Sequence, residues 1–541
     1  MKRNQHSRKP AEKRKSSAIP HLEKRGAAHR LIVTGKPFLI LGGQVHNSRS
    51  SNLEYMKKVW DKLIELHCNT ALAPVSWELV EPRKGAYDFS LVTGLISEAR
   101  KRGLRLVLLW FATFKNTHST YVPEWVKTDL ERFPRAQLDK REYGEAITCF
   151  SDEARAADCR AFAALMRHVK KLDGVKNTVI MVQVQNETGL LGASRDHCPL
   201  AETAFRGNVP DALLSCLKSH EADLRPELLD LWKSAGGKDS GTWSDVFGSG
   251  ADEVFMAWHI AAYVQSVAHA GRREYPLPMY ANAWLVQHPG QAPGLYPSGG
   301  PVSRMMDVWH CAAPDIATLS PDIYVPWFAE ACRDYSRNDN PLFIPEAARE
   351  AGIGAKCIYA FGRHDAIGFS PFGIDSFGSP APVFVEGPVA DGPVKCSAHG
   401  AAAALAGVYR VFGNMSDRLL EYQGTGRMTA VLQDKEQCET LEFGGYRFSI
   451  EFASLMKEGA ISGAALLMHA ADNEFIIVGT RCQIPHPWNL KGQRITEFIS
   501  IDEGCYQNSR WIPGRRLNGD ERGLRFGDAP SVLRIKLYSY D

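Results

Sequence analysis

The sequence lacks closely spaced cysteines. Its twelve cysteines are scattered singly between Cys68 and Cys505, and none belongs to a C-x-x-C pair. A structural zinc site or a dithiol redox motif needs such pairs, so neither is indicated. A disulfide framework is not expected either. We expect no bound metal.

Long hydrophobic runs are also absent. A membrane-spanning helix needs about eighteen or more consecutive apolar residues. The longest strand-like apolar run, Leu106 to Ala112, has only the length of a buried strand. Residues 1–30 are basic, with no apolar segment of the kind that a secretory signal contains. We therefore expect a soluble protein without a membrane span, and the sequence leaves its location, periplasmic or cytoplasmic, open.

A strongly basic body is the third missing feature. The chain has 64 Lys and Arg against 61 Asp and Glu, and ten of these basic residues but only two of the acidic ones lie in residues 1–30. The remainder is mildly acidic, so it does not favour binding along a phosphate backbone. We expect no nucleic-acid partner, and we expect residues 1–30 to form a disordered basic tail.

Eight short apolar runs alternate with segments of helical period between residues 31 and 375. This alternation is typical of repeated βα units around a parallel sheet. No G-x-G-x-x-G follows the first run, which argues against a dinucleotide fold. The sequence thus predicts an α/β protein with a (β/α)8 TIM barrel over residues 31–375. The predicted strands are Phe38 to Gly42, Thr70 to Val75, Leu104 to Phe111, Thr178 to Gln185, Met279 to Ala283, Ile316 to Tyr324, Pro341 to Pro345 and Ala366 to Pro371.

The pattern changes to period two near residue 420. Apolar residues alternate on both sides of Gly444 and Gly445, which predicts a hairpin. We predict a small antiparallel β-sandwich over residues 420–541, joined to the barrel by a connecting segment, residues 376–419, with a helix at 401–412. Its expected role is structural support, while sugar binding and a homodimer contact stay open.

The predicted strand ends carry two glutamates. Catalytic groups of such barrels lie at the carboxyl ends of the strands. The fourth strand is followed by Asn186 and Glu187, and the seventh by Glu346. Two carboxylates that face each other across the barrel mouth suit glycoside hydrolysis, and a separation of about 5 Å would favour retention of configuration.

Tryptophans are concentrated in the predicted barrel. Ten of the twelve lie between Trp60 and Trp327. We expect Trp77, Trp110 and Trp284, which lie at or just beyond strand ends, to contact sugar, because flat apolar rings suit the apolar face of a sugar ring.

One segment resembles a known family. Residues 69–89 (NTALAPVSWELVEPRKGAYDF) are similar to the second-strand signature of the β-galactosidases of glycoside hydrolase family 35 and the related family 42. With Glu187 and Glu346, the barrel resembles clan A of the retaining glycosidases. The Gly42–Ser48 opening and the predicted sandwich look like a bacterial branch of family 35.

The resemblance implies an exo-acting retaining β-galactosidase that releases terminal β-D-galactosyl residues and needs no cofactor. It implies that Glu187 is the acid/base and Glu346 the nucleophile. It also implies that Asn186 bonds the sugar 2-hydroxyl and that Tyr324 donates to the nucleophile. Further sugar-binding groups are expected at His46, Glu78, Lys115 and Trp284. The chain departs from many family members at Gln185, where they have glutamate.

Other functions remain open at this point. Another retaining clan A activity, such as a β-glucosidase, β-mannosidase or α-L-arabinopyranosidase, would use the same two glutamates. A non-catalytic carbohydrate-binding barrel is a second alternative. No single residue separates galactose from glucose, which differ at one hydroxyl.

Overall fold

A computed structural model describes residues 18–541 except 140–141, 378–399, 435–436, 454–461 and 493–494. All eight predicted strands are present and lie parallel to their neighbours in one sheet. The barrel strands are Ile40–Gln44, Thr70–Ser76, Arg105–Lys115, Val179–Asn186, Met279–Trp284, Thr318–Ile323, the pair Phe343–Ile344 and Glu346–Ala347, and Gly368–Phe369.

The seventh strand consists of two short pieces, which together close the barrel. Pro345, which has no backbone N–H to donate, separates them. The first piece pairs with the eighth strand and the second with the sixth, where Glu346 lies opposite Asp322. The eighth strand in turn pairs with the first, Gly368 opposite Ile40. The prediction of a TIM barrel is confirmed, with Glu346 at its carboxyl edge.

A helix follows each barrel strand and buries its apolar stripe on the sheet. In the first, Met56, Val59, Trp60 and Leu63 recur three and four residues apart and are buried. No helix in the described part of the chain is both long and apolar enough to cross a membrane. The eight helices are Leu53–Glu65, Ser90–Lys101, Asp152–Asp173, Ala251–Glu274, Met306–Ala312, Phe328–Tyr335, Ile353–His364 and Ala401–Asn414.

Additional elements extend two of the loops. A short antiparallel pair, Arg135–Gln137 and Tyr143–Ile147, follows the third strand. Four helices are inserted after the fourth strand: Pro199–Phe205, Asp211–Ser219, Pro226–Ser234 and Trp243–Phe247.

A three-stranded antiparallel sheet covers the amino-terminal end of the barrel. Its strands are His21–Arg25, Ala28–Val33 and Lys36–Phe38. Leu31 and Val33 pack against side chains of the barrel interior. The prediction of disorder through residue 30 is therefore wrong for residues 21–30, because His21–Arg25 pairs with Ala28–Val33 and Leu22 packs against the same apolar cluster. Residues 1–17 lie outside the described part.

The predicted connecting helix is present as Ala401–Asn414 and packs on the barrel. The Tyr409 hydroxyl lies within hydrogen-bonding distance of Gly42 O, 2.9 Å, and of Phe369 O, 2.7 Å. These carbonyls belong to the first and eighth barrel strands, so the helix covers their seam. Part of the connecting segment, residues 378–399, lies outside the described residues.

The C-terminal unit is a sandwich of two antiparallel sheets, as predicted. The expected hairpin around Gly444 and Gly445 is confirmed. A helix, Ser416–Tyr422, occupies the start of the predicted range, and the strands begin at Met428. One sheet contains Met428–Leu432, Ala464–Ala471, Glu474–Thr480, Ser531–Tyr540, Ile495–Gln507 and Arg510–Arg516. The other contains Cys438–Phe443, Tyr446–Phe452, Cys482–Ile484, Leu524–Phe526 and Trp488–Asn489.

One disulfide bond joins the inserted helices to the barrel. Cys216, in the helix Asp211–Ser219, is bonded to Cys311 in the fifth barrel helix. The expectation that the cysteines form no disulfides is wrong for this pair. The two cysteines are 95 residues apart, so no local spacing could have indicated that they meet.

Removing this bond is expected to destabilise the fold. The double change Cys216→Ser and Cys311→Ser should lower the free energy of unfolding by about 2–4 kcal/mol, because the crosslink restricts the unfolded chain. Denaturant unfolding with and without reductant measures the effect, and Cys438→Ser, at an exposed free cysteine, is the control. A double variant as stable as the oxidised wild type would contradict the prediction.

Candidate active site

A cavity of about 550 Å³ opens at the carboxyl ends of the barrel strands. Glu187, directly after the fourth strand, and Glu346, in the second piece of the seventh, both line it. One carboxylate oxygen of each lies within 4.8 Å of the other. The other lining residues are Asn47, Lys115, Asn116, His118, Thr120, Tyr121, Glu145, Leu191, Trp284, Gln287, Asp322, Tyr324, Arg349 and Phe372.

Two donors hold the Glu346 carboxylate. Gln44 Nε2 donates to Glu346 Oε1 at 2.6 Å, and the Tyr324 hydroxyl donates to Oε2 at 2.6 Å. Hydrogen bonds to a carboxylate favour its charged form and fix its orientation. Glu346 is buried, so this charged group depends on both donors.

The Glu187 carboxyl group lies in a different environment. Burial, and next the negative charge of Glu346, raise its pKa to about 7, while the positive charge of Lys115 acts in the opposite direction. Asn116 Nδ2 also donates to Glu187 Oε2. Two neighbouring carboxyl groups with such different surroundings can serve separately as a proton donor and a charged nucleophile.

The backbone around Glu187 is held in an uncommon conformation. Gln185 and Glu187 have φ angles of 66° and 45°. Non-glycine residues with positive φ are uncommon, and they occur preferentially at functional sites, where the surroundings fix them. Here Asn282 Oδ1 accepts a hydrogen bond from Glu187 N at 3.0 Å. The fifth strand therefore fixes the end of the fourth.

A third carboxyl group, Asp322, lies beside these two. One oxygen of each of the three groups lies within 4.8 Å of the others, which is a spacing that a cation site could use. However, Glu346 already accepts from Gln44 and Tyr324, and Asp322 Oδ2 accepts from Asn282 Nδ2 at 2.5 Å. Donors therefore occupy both oxygens of Glu346 and one of the two oxygens of Asp322, so the group fits a hydrogen-bonded acid network better than a metal site.

Three of the expected binding residues line the cavity, and a fourth, Asn186, lies next to the lining residue Glu187. The three are Lys115, Trp284 and Tyr324. Asn186 is fully buried next to Glu187, and neither polar atom of its amide has a partner among the described residues. A buried amide without partners needs an explanation, and a polar ligand would provide one.

Two of the expected aromatic contacts do not form. Trp77 and Trp110 are fully buried in the hydrophobic core and do not line the cavity. Trp77 Nε1 donates to Glu81 at 2.8 Å, and Trp110 Nε1 to Asp158 at 2.8 Å. The expectation that they contact sugar is wrong, because their rings occupy the core between the sheet and the helices.

His46 and Glu78 lie near the cavity but outside its lining. His46 Nδ1 is 3.0 Å from Asp375 Oδ1, and its ring contacts Phe372, which does line the cavity. Glu78 forms an ion pair with Lys127 at 2.7 Å in an adjacent cavity. Neither side chain lines the cavity, and direct sugar contact by His46 and Glu78 stays a prediction.

The departure at Gln185 has a local explanation. Its Nε2 donates to Asp158 Oδ2 at 2.7 Å, and its Oε1 accepts from Phe114 N at 2.9 Å. Gln185 thus points away from the cavity. A glutamate here would lose the donor to Asp158 and place two buried carboxyl groups together.

Several residues that line the cavity or bond its glutamates were not predicted from the sequence. Gln44, Asn116, Asn282 and Asp322 bond the two glutamates or each other. Arg349 lines the cavity three residues after Glu346. Each lies at or just beyond a strand end, and that position is the signal that could have indicated them.

Comparisons with known proteins concern mainly the barrel. The family model of the glycoside hydrolase 42 group, described as Beta-galactosidase, matches residues 47–214. A domain of unknown function (DUF5597) matches residues 405–527. A β-galactosidase of Xanthomonas manihotis is 38% identical over 178 residues, which cover 32% of this chain and 27% of that protein. The β-galactosidase BgaA of a Thermus species is 27% identical over 138 residues, 24% of this chain and 19% of that protein.

Solved structures include two similar β-galactosidases. One from Bacillus circulans sp. alkalophilus has a TM-score of 0.46 at 16% identity and covers 72% of this chain and 59% of that one. A catalytic mutant of a family 42 β-galactosidase from G. stearothermophilus has a TM-score of 0.47 at 15% identity, with 73% and 59% covered. The chain matches about a quarter or less of the length of the curated relatives. Similarity to the glycoside hydrolases thus covers residues 47–214 and is to family 42; the expected membership of family 35 is not confirmed.

Proposed function

We propose that the protein is a retaining, exo-acting β-galactosidase that hydrolyses terminal β-D-galactosyl residues by double displacement. One observation carries the proposal: Glu187 and Glu346 line one cavity with carboxylate oxygens within 4.8 Å of each other. Retaining glycosidases have carboxyl groups about 5 Å apart, whereas inverting enzymes need room for a water molecule between substrate and base. The similarity of residues 47–214 to the family 42 β-galactosidases supports the choice of sugar.

In the first half-reaction Glu187 protonates the glycosidic oxygen while Glu346 attacks the anomeric carbon. The bond between that carbon and the leaving oxygen breaks as the bond to Glu346 forms. Gln44 and Tyr324 hold the attacking carboxylate in place. Burial and the Glu346 charge keep Glu187 protonated up to a pH of about 7, its pKa.

In the second half-reaction Glu187 acts as a base. Glu346 is now an ester and carries no charge, so one of the two causes that raise the pKa of Glu187 has disappeared. Glu187 takes a proton from water, and the resulting hydroxide oxygen attacks the anomeric carbon. This releases the sugar, and Glu346 becomes a carboxylate again.

Two further residues fit a sugar in this cavity. The Asn186 amide, buried and without a partner among the described residues, is available to the sugar 2-hydroxyl. Trp284 provides an aromatic surface on the lining. Both are proposed contacts of the galactosyl ring.

A panel of aryl β-glycosides tests the proposal. Rates are measured with matched nitrophenyl β-D-galactoside, β-D-glucoside, β-D-mannoside and α-L-arabinopyranoside. We expect the galactoside to have the highest kcat/KM, and its product, followed by NMR before mutarotation, to keep the β configuration. A higher kcat/KM on another glycoside would favour one of the alternative retaining activities. No hydrolysis of any member would favour the non-catalytic barrel.

A further inference from the structure

The Asp322 side chain has one oxygen without a donor. Asp322 is 2% exposed and lines the cavity at the end of the sixth strand. Its Oδ2 accepts from Asn282 Nδ2 at 2.5 Å. Its Oδ1 is buried and has no hydrogen-bond donor among the described residues. An ionised carboxylate in this position would leave one charged oxygen unsatisfied, which is costly in a buried site.

The groups that face Asp322 make an ionised form still less favourable. The carboxyl groups of Glu187 and Glu346 lie within 4.8 Å, and like charges at this distance cannot all persist. Tyr280 and Tyr324 are also close enough to Asp322 to interact with its charge, and both are neutral phenols. The cations that line the same cavity are Lys115 and Arg349. Glu346 has two donors that favour its charge, so the proton belongs on its neighbours.

A proton on Asp322 would explain both the Oδ1 atom without a donor and the closeness of the three carboxyl groups. A protonated carboxyl group is a donor, and the Asp322 side chain, whose Oδ1 has no donor among the described residues, lies beside Glu187, with one carboxyl oxygen of each within 4.8 Å of the other. Burial, with the charges of Glu346 and Glu187, raises the pKa of Asp322 well above its ordinary value. Asn282 bonds both residues, through Glu187 N and Asp322 Oδ2, and so keeps the pair in register.

We propose that Asp322 is a positioning residue that stays protonated in the working enzyme and donates a hydrogen bond to Glu187; this inference rests on the proposed function. Its proton is not transferred. Glu187 gives its own proton to the leaving oxygen, and the bond from Asp322 stabilises the carboxylate that results. Water then returns a proton to Glu187, and the Asp322 hydroxyl is unchanged after a full cycle.

Two variants separate the roles of charge and hydrogen bond. Asp322→Asn is neutral, matches the shape of the acid and still donates, through Nδ2. We expect its kcat/KM on a galactosyl disaccharide, which needs the Glu187 proton, to stay within about tenfold of wild type, with the basic limb of the pH profile moved by less than about half a unit. Asp322→Leu is neutral but cannot donate. We expect a larger loss and a basic limb about one unit higher, because the Glu187 carboxylate loses a donor.

Two results would overturn the proposal. If Asp322→Asn lowers the basic limb by about a unit or more, the change has removed a negative charge, and Asp322 is ionised in the wild type. If both variants lose activity equally with unmoved limbs, Asp322 has only a structural role. Thermal unfolding of each variant checks that the fold is intact.

Carbon-13 NMR of the aspartate carboxyl groups tests the proton directly, even where a variant fails to fold or the wild type hydrolyses no glycoside. The resonance that shifts on Glu187→Gln is assigned to Asp322. We expect it to remain that of a protonated acid near neutral pH. A resonance that has already ionised at a pH of about 5 would overturn the inference and leave the proposed function standing on the glycoside panel.

Discussion

Glu346→Gln is expected to lower kcat/KM on aryl β-galactosides by about 10⁴-fold or more, the scale seen when a covalent nucleophile is removed. The amide is nearly the same size, and its oxygen can still accept from Gln44 or Tyr324. The fold should therefore persist. The loss is chemical, because an amide is too weak a nucleophile to form the glycosyl-enzyme. Initial rates at saturating and limiting substrate measure it.

A matched control is available on the rim of the same cavity. Glu145 lines the cavity, but its side chain is 73% exposed and pairs with His118. The same change, Glu145→Gln, should alter kcat/KM by less than about threefold, since exposed ion pairs contribute little. Equal losses in both variants, or an active Glu346→Gln, would show that Glu346 is not the nucleophile.

The barrel and its two glutamates could be predicted because both follow from local sequence. Strands buried on both faces are short apolar runs, and the helices between them have a clear period. A residue at or directly after the carboxyl end of a barrel strand lies at the mouth of the barrel. Glu187 and Glu346 both occupy such positions, so the topology alone brings them together.

The orientation of a strand-end side chain could not be predicted in the same way. Trp77 directly follows the second strand, and Trp110 lies in the middle of the third, which extends to Lys115; the rings of both are buried in the core under the helices. Successive residues of a strand point to opposite faces, and the irregular backbone near Gln185 and Glu187 shifts that alternation. The sequence therefore predicts where along a strand a residue lies, but not whether its side chain points into the cavity or into the core.

Contacts between segments that are distant in the sequence could not be predicted either. The Cys216–Cys311 bond and the Gln44–Glu346 hydrogen bond join residues 95 and 302 positions apart. Neither leaves a periodic pattern in the sequence. The strand at residues 21–25 was missed for a related reason: a basic composition suggested disorder, whereas this strand pairs with Ala28–Val33 and Leu22 packs against the barrel interior.

Glu187→Gln is expected to affect substrates according to their leaving groups. A dinitrophenyl galactoside, whose leaving group needs no proton, should react in the first step at a rate within about tenfold of wild type. A galactosyl disaccharide, which needs the proton, should lose about 10²–10⁴-fold in kcat/KM, the contribution of general acid catalysis. Because the variant also lacks the base, the glycosyl-enzyme should accumulate after a burst. Azide, which needs no base, should accelerate its turnover.

The pH dependence follows from the same group. Glu187 must be protonated for the first step, and its pKa is raised to about 7, so wild-type kcat/KM on the disaccharide should fall as the pH rises through about 7. In Glu187→Gln that fall should disappear, because the amide has no proton to lose, whereas Glu145→Gln should keep it. A basic limb that survives in Glu187→Gln would assign it to another group. If Glu187→Gln lowered kcat/KM equally on the dinitrophenyl galactoside and on the disaccharide, Glu187 would not be the acid. Loss of the acid should slow only the substrate whose leaving group needs a proton.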